Sequence, residues 1–109
     1  MAVRQLSPLQ LRDWLADEAR ERPVMLDVRE PWEFQICRIS GSLHRPMETV
    51  PACTAEFDPD ASTVVICHHG QRNMQVAYYL ERTGFANLYN LAGGVDAWAR
   101  SVEPGMTLY

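Results

Sequence analysis

The sequence predicts an α/β fold: a mostly parallel central sheet of about five strands with helices on both faces. Three observations predict it. Runs of strand length alternate with segments of helical spacing along the chain, the order that builds a parallel sheet between helix layers. Two of those runs, Val24-Met25-Leu26-Asp27-Val28 and Thr63-Val64-Val65-Ile66, are apolar almost throughout, as strands covered on both faces are. The second run stops at Cys67-His68-His69-Gly70-Gln71-Arg72-Asn73, after which Met74, Val76, Ala77 and Leu80 begin a helical pattern. Strand, tight loop and helix in that order put the loop at the carboxyl end of a strand, where open α/β sheets hold their ligands.

Val3-Arg4-Gln5-Leu6 reads as a short first strand. Ser7 followed by Pro8 is a helix cap and first helical residue. Leu11, Trp14 and Leu15 then share one apolar face, so Trp14 belongs to the core. The charged stretch from Asp17 to Arg22 continues that helix until Pro23 stops it. The strand Val24–Val28 follows, with Asp27 inside it. A carboxylate in such a run needs a partner, which Arg29 or a loop amide can supply. Pro31-Trp32-Glu33-Phe34-Gln35-Ile36 is one short helical turn begun by proline. The segment from Cys37 through His44-Arg45-Pro46 reads as loop. Between Met47 and Phe57 a short helix is expected around Glu48–Val50, interrupted by Pro51. Asp58-Pro59-Asp60 marks a turn. The helix after the histidine-rich loop runs from about Asn73 to Thr83, with Gly84 as its stop. Asn87–Leu91 alternates as a strand, Ala92-Gly93-Gly94 makes a second tight loop, and Val95–Arg100 is a last helix carrying Trp98. Ser101–Tyr109 is a tail. No repeat or linker interrupts the pattern, so residues 1–109 are expected to form a single domain.

The apolar share of 47% gives the chain a core to bury. No apolar run reaches the roughly 18 residues of a membrane span, and the start of the sequence lacks a basic-then-apolar signal. A formal charge of −4 argues against a nucleic-acid partner. All ten cations are arginine, which excludes a Schiff-base lysine and a lysine-dependent phosphate loop. Cys37, Cys53 and Cys67 form no C-x-x-C pair, which argues against a disulfide scaffold or zinc knuckle and favours a reducing cytoplasm.

The loop from Cys67 to Arg72 is where chemistry is expected. Four residues separate the thiol from the arginine. If the backbone curls round the sulfur, several N–H groups converge on one point and form a nest for an anion. Gly70 supplies the positive φ that such a curl needs. Arg72 can fold back over the loop as a fixed cation, and Asn73 can cap the following helix. A cysteine facing a helix start is favoured as the thiolate, its nucleophilic form. His68 and His69 are adjacent in a tight loop and are expected to point different ways. They are read mainly as donors of main-chain amides, or else as general acids or substrate contacts, rather than as metal ligands. Cys37 and Cys53 are read as structural, and His44 as a loop residue.

At these residues the chain resembles the rhodanese family of single-domain sulfurtransferases. Leu26-Asp27-Val28-Arg29-Glu30-Pro31-Trp32-Glu33-Phe34 is similar to the family's first signature. Cys67-x-x-Gly70-x-Arg72 is similar to its active-site loop, and Gly84-Phe85 with Leu91-x-Gly93-Gly94-x-x-Ala97-Trp98 to its closing motif. The likeness covers nearly the whole chain. It departs at Cys37-Arg38, where the family often has Gly-His, and at Asn73, where it commonly has Ser or Thr. The resemblance implies a rhodanese-like fold and a sulfurtransferase without cofactor. Cys67 would take a sulfane sulfur from a donor such as thiosulfate or a protein persulfide, hold it as a persulfide, and pass it to cyanide or a thiol. His68, His69, Gly70, Gln71, Arg72 and Asn73 would form the persulfide-binding loop, with Asp27 and Arg29 in support. No membrane or nucleic-acid partner is implied.

Two other functions fit less well. A cysteine-dependent phosphatase or arsenate reductase uses five residues between cysteine and arginine, and the smaller ring here suits one sulfur atom better than a tetrahedral oxyanion. A non-catalytic binding or regulatory module of the same family would usually have lost the cysteine.

Overall fold

Every strand in the sheet runs the same way, because each pair is joined through a crossover rather than a hairpin. The computed structural model describes residues 3–70 and 72–109. It contains β1 (Arg4–Leu6), α1 (Pro8–Ala16), β2 (Val24–Asp27), α2 (Pro31–Ile36), β3 (Leu43–His44), α3 (Val50–Cys53), β4 (Thr63–Ile66), α4 (Arg72–Arg82), β5 (Leu88–Leu91) and α5 (Gly94–Ser101). The five parallel strands lie in the order β1-β5-β4-β2-β3. Among the described residues no helix is long and apolar enough to cross a membrane.

The central strand β4 shows how the sequence divides the core. Side chains alternate across a strand. Val64 and Ile66 therefore face α1 and α5, packing with Leu11, Trp14, Val95 and Trp98. Val65 and Cys67 face the other layer, with Val50 of α3 and Val76, Ala77 and Leu80 of α4. Both faces of β4 are covered, which is why its sequence does not alternate between apolar and polar.

Local signals hold where a cap or proline defines them. Ser7 Oγ accepts from the Gln10 N–H at 3.1 Å, and Gln10 Oε1 returns to the Ser7 N–H at 2.8 Å, a reciprocal cap. Three expectations are corrected. Helix α1 ends at Ala16, not at Pro23. Asp17 Oδ1 takes the Ala19 N–H at 3.0 Å and turns the chain, and the charged residues beyond offer no apolar face to bury. His44 lies in a strand, β3, because its backbone pairs with Asp27. Pro51 does not interrupt a helix. It stands in the first turn of α3, between 3-10 turns at Met47–Thr49 and Thr54–Glu56, where its missing N–H has no intrahelical partner to lose.

Candidate active site

Strands β2 and β4 are neighbours, so their carboxyl ends bring two loops together. The loop after β4 carries Cys67, which is 1% exposed. The Gly70 N–H donates to Cys67 Sγ at 3.0 Å, with Gly70 at φ +93°. Of the several amides expected to converge on the sulfur, this is the one that meets it among the described residues. Gln71, also expected in the loop, lies outside the described residues.

The loop is held from beneath by the start of α5. Val95 N–H donates to Cys67 O at 2.8 Å and Asp96 N–H to His68 O at 3.0 Å. Gly94 sits at φ +64°, and a Cβ there would collide with the carbonyl oxygens of Cys67 and His68. The paired glycines Gly93-Gly94 thus allow a backbone-on-backbone approach that fixes where the thiol stands.

Arg72 reaches across to α2 rather than over the loop. Its Nη1 and Nη2 donate to Glu33 Oε1 and Oε2 at 2.8 and 2.7 Å, a two-pronged ion pair. Sequence reasoning missed Glu33. The available signal was its place three residues after Glu30, the reciprocal cap in which Glu33 Oε1 takes the Glu30 N–H at 2.8 Å. Burial alone would push the Glu33 carboxyl up. The Arg72 fork, the Glu30 N–H and the Tyr109 hydroxyl outweigh it and hold the group at about 2, below its ordinary 4.5. The Glu33 ion pair in turn raises the Arg72 pKa.

A carboxylate held low contributes stability above its unfolded value and loses it as pH falls towards its folded value. Wild type is therefore expected to exceed Glu33→Gln in stability by on the order of 2–3 kcal/mol above about pH 5. That gap should close as pH falls from about 4.5 towards about 2. Urea unfolding of both proteins across that range checks it. A gap independent of pH would show that the carboxylate charge is not what the site uses.

Tyr109 was also missed, since a tail without periodicity carries no signal. Its ring stacks on His68, with centroids 4.0 Å apart and planes 13° apart, and meets Trp32 edge-on at 5.7 Å. Its hydroxyl accepts from Arg29 Nη1 at 2.8 Å and donates to Glu33 Oε2 at 3.1 Å. Burial pushes that hydroxyl up to about 12, against the pull of Arg29, so it keeps the proton it donates.

Asp27 and Arg29 are both fully buried. Arg29 Nη2 meets Asp27 Oδ2 at 2.7 Å and Nε meets Oδ1 at 2.9 Å. The Arg29 N–H also donates to Asp27 Oδ1 at 3.1 Å, so side chain and loop amide both serve the carboxylate. The same guanidinium donates to Cys37 O at 2.7 Å and Glu33 O at 3.3 Å, tying down the end of α2. Burial opposes its charge, and Asp27 more than restores it, so its pKa is raised.

Two expectations at the loop are corrected. Asn73 does not cap α4 but lies inside it, buried, and its Nδ2 donates to Val65 O at 2.8 Å. Helix and strand cross so closely there that the amide serves the strand carbonyl. His68 and His69 do not diverge. Their ring centroids are 3.9 Å apart, tilted 32°, because the loop curls over the start of α5. All three cysteines are free, with Cys37 and Cys53 half-buried.

The sequence profile of the Rhodanese-like domain matches residues 8–101. The chain is 36% identical over 103 residues to the thiosulfate sulfurtransferase GlpE of Pseudomonas aeruginosa, covering 94% of this chain and 89% of that protein. It is 36% identical over 97 residues to the chloroplastic rhodanese-like/PpiC domain-containing protein 12 of Arabidopsis thaliana. That match takes 85% of this chain but spans 31% of the relative. A crystal structure of a rhodanese-like domain protein from Staphylococcus aureus superposes with a TM-score of 0.80 at 26% identity, covering 87% of this chain and 90% of that one.

Proposed function

The chain belongs to the rhodanese-like domain family, and on that premise we propose that it is a sulfurtransferase whose nucleophile is Cys67. The observation that carries this reading is a thiol at the carboxyl end of β4 receiving the Gly70 N–H at 3.0 Å. In the first step the Cys67 thiolate attacks the outer sulfur of thiosulfate. A bond forms between the two sulfurs, the S–S bond of thiosulfate breaks, and sulfite leaves with its electron pair. In the second step a nucleophile such as cyanide or a thiol attacks the terminal sulfur of the persulfide and Cys67 departs as thiolate. The amide of Gly70, with those of the neighbouring loop residues His68, His69, Gln71, Arg72 and Asn73, would stabilise the sulfur anion as fixed dipoles do. Asp27 and Arg29 would support the site by holding α2. Residues 1–109 would act as one domain, in the cytoplasm, with a small sulfur anion or a protein persulfide as donor.

The experiment is steady-state transfer from thiosulfate to cyanide, beside hydrolysis of an aryl phosphate. Sulfur transfer without phosphatase turnover is expected, since four residues separate Cys67 from Arg72. The reverse pattern would overturn the assignment. Arg72→Lys is expected to fall below about a tenth of wild-type turnover, because lysine keeps the charge but cannot fork onto both oxygens of Glu33. Wild-type turnover in that variant would show that charge alone suffices.

A further inference from the structure

We propose that His68, His69 and Asp96 form a binding site for a zinc-type divalent cation at the mouth of the thiol loop. One ligand atom from each residue can be chosen so that all lie within 4.8 Å of one another. Neither imidazole has a hydrogen-bond partner among the described residues, so no described group competes for the ring nitrogens. Asp96 Oδ2 accepts Arg100 Nε at 3.0 Å, while Oδ1 has only the longer 3.5 Å approach of Arg100 Nη2. The carboxylate is thus oriented by a cation behind it and keeps one oxygen for a ligand role, the arrangement that steadies a metal-binding group.

The three residues come from two elements, yet their spacing is fixed by main chain. The Asp96 N–H donates to the carbonyl of His68, and the Val95 N–H to that of Cys67. The Tyr109 ring lies flat on His68 and fixes its orientation. His69 is exposed, which leaves a way in.

The donor set selects the ion. Two imidazole nitrogens and one carboxylate oxygen suit zinc and its borderline neighbours, whereas magnesium and calcium take oxygen. Three protein ligands leave a fourth tetrahedral position open. Cys67 Sγ is not one of the converging atoms, so the site stands beside the thiol and does not depend on sulfur transfer.

The test uses the full chain carrying Cys67→Ser, titrated with zinc chloride against a chromophoric chelator, with histidine-ring NMR as second readout. One bound equivalent is expected. The ring signals of His68 and His69 should shift together while those of His44, whose Nε2 is engaged 2.7 Å from Arg29 O, stay put. Asp96→Asn should weaken zinc binding by about tenfold or more, and the exposed His69→Gln should do the same if the first variant folds poorly. Unmoved His68 and His69 signals would overturn the proposal. So would unchanged affinity in a folded Asp96→Asn or His69→Gln, or binding that disappears in Cys37→Ser or Cys53→Ser.

Discussion

Cys67→Ser is expected to abolish transfer of sulfur from thiosulfate to cyanide, by at least about a thousandfold. Serine keeps the size of the side chain, so the packing against Val65, Val76 and Ala77 should survive. What is lost is the sulfur atom that forms the S–S bond of the persulfide. The Gly70 N–H would then face a neutral hydroxyl rather than a sulfur. Cys37→Ser and Cys53→Ser should keep most activity. Cys37 stands at the end of α2 with its sulfur 3.9 Å from Arg29 Nη1, and Cys53 closes α3. Full loss in either would mean that a second thiol resolves the persulfide, and the two-step scheme would need a disulfide.

The second large effect is on the fold that holds the site. Asp27→Asn should cost about 3–5 kcal/mol, because it leaves the Arg29 charge buried without its counter-ion. In a chain of 109 residues that lowers the melting temperature by more than about 10 °C. Tyr109, Cys37 and Glu33 still offer oxygens to the guanidinium, but none of these supplies the charge in direct contact. Replacing both partners, as Asp27→Leu with Arg29→Met, should recover a large part of the loss, since no charge is then left unpaired. Urea unfolding of the two single variants and the double variant measures this. A loss below about 1 kcal/mol for Asp27→Asn would show that the pair contributes little and that α2 is held by packing.

Much of this was legible in the sequence because it is local. The apolar runs at Val24–Asp27 and Thr63–Ile66 are strands, the Ser7-Pro8 cap starts α1, Gly70 stands where positive φ is required, and Gly93-Gly94 make a tight loop. The ion pair of Asp27 with Arg29 could be anticipated because the partners are two residues apart. What sequence reasoning missed is long-range. Glu33 meets Arg72 across 39 positions and Tyr109 across 76, and neither spacing leaves a periodic trace. Asp96 looks like an ordinary first-turn acid of α5 until the sheet brings it to the histidine loop. The end of α1 is set locally instead, by the Asp17 side chain that takes the Ala19 N–H, whereas the Asn73 amide goes to a buried strand carbonyl that local propensity does not reveal.

Whether Cys67 carries a sulfane sulfur can be read by mass spectrometry of the protein, purified without reductant and treated with thiosulfate. A gain of about 32 Da, one sulfur atom, is expected on the peptide containing Cys67, removed by cyanide and absent from Cys67→Ser. An adduct confined to Cys37 or Cys53, or none on Cys67 while sulfur transfer proceeds, would contradict it.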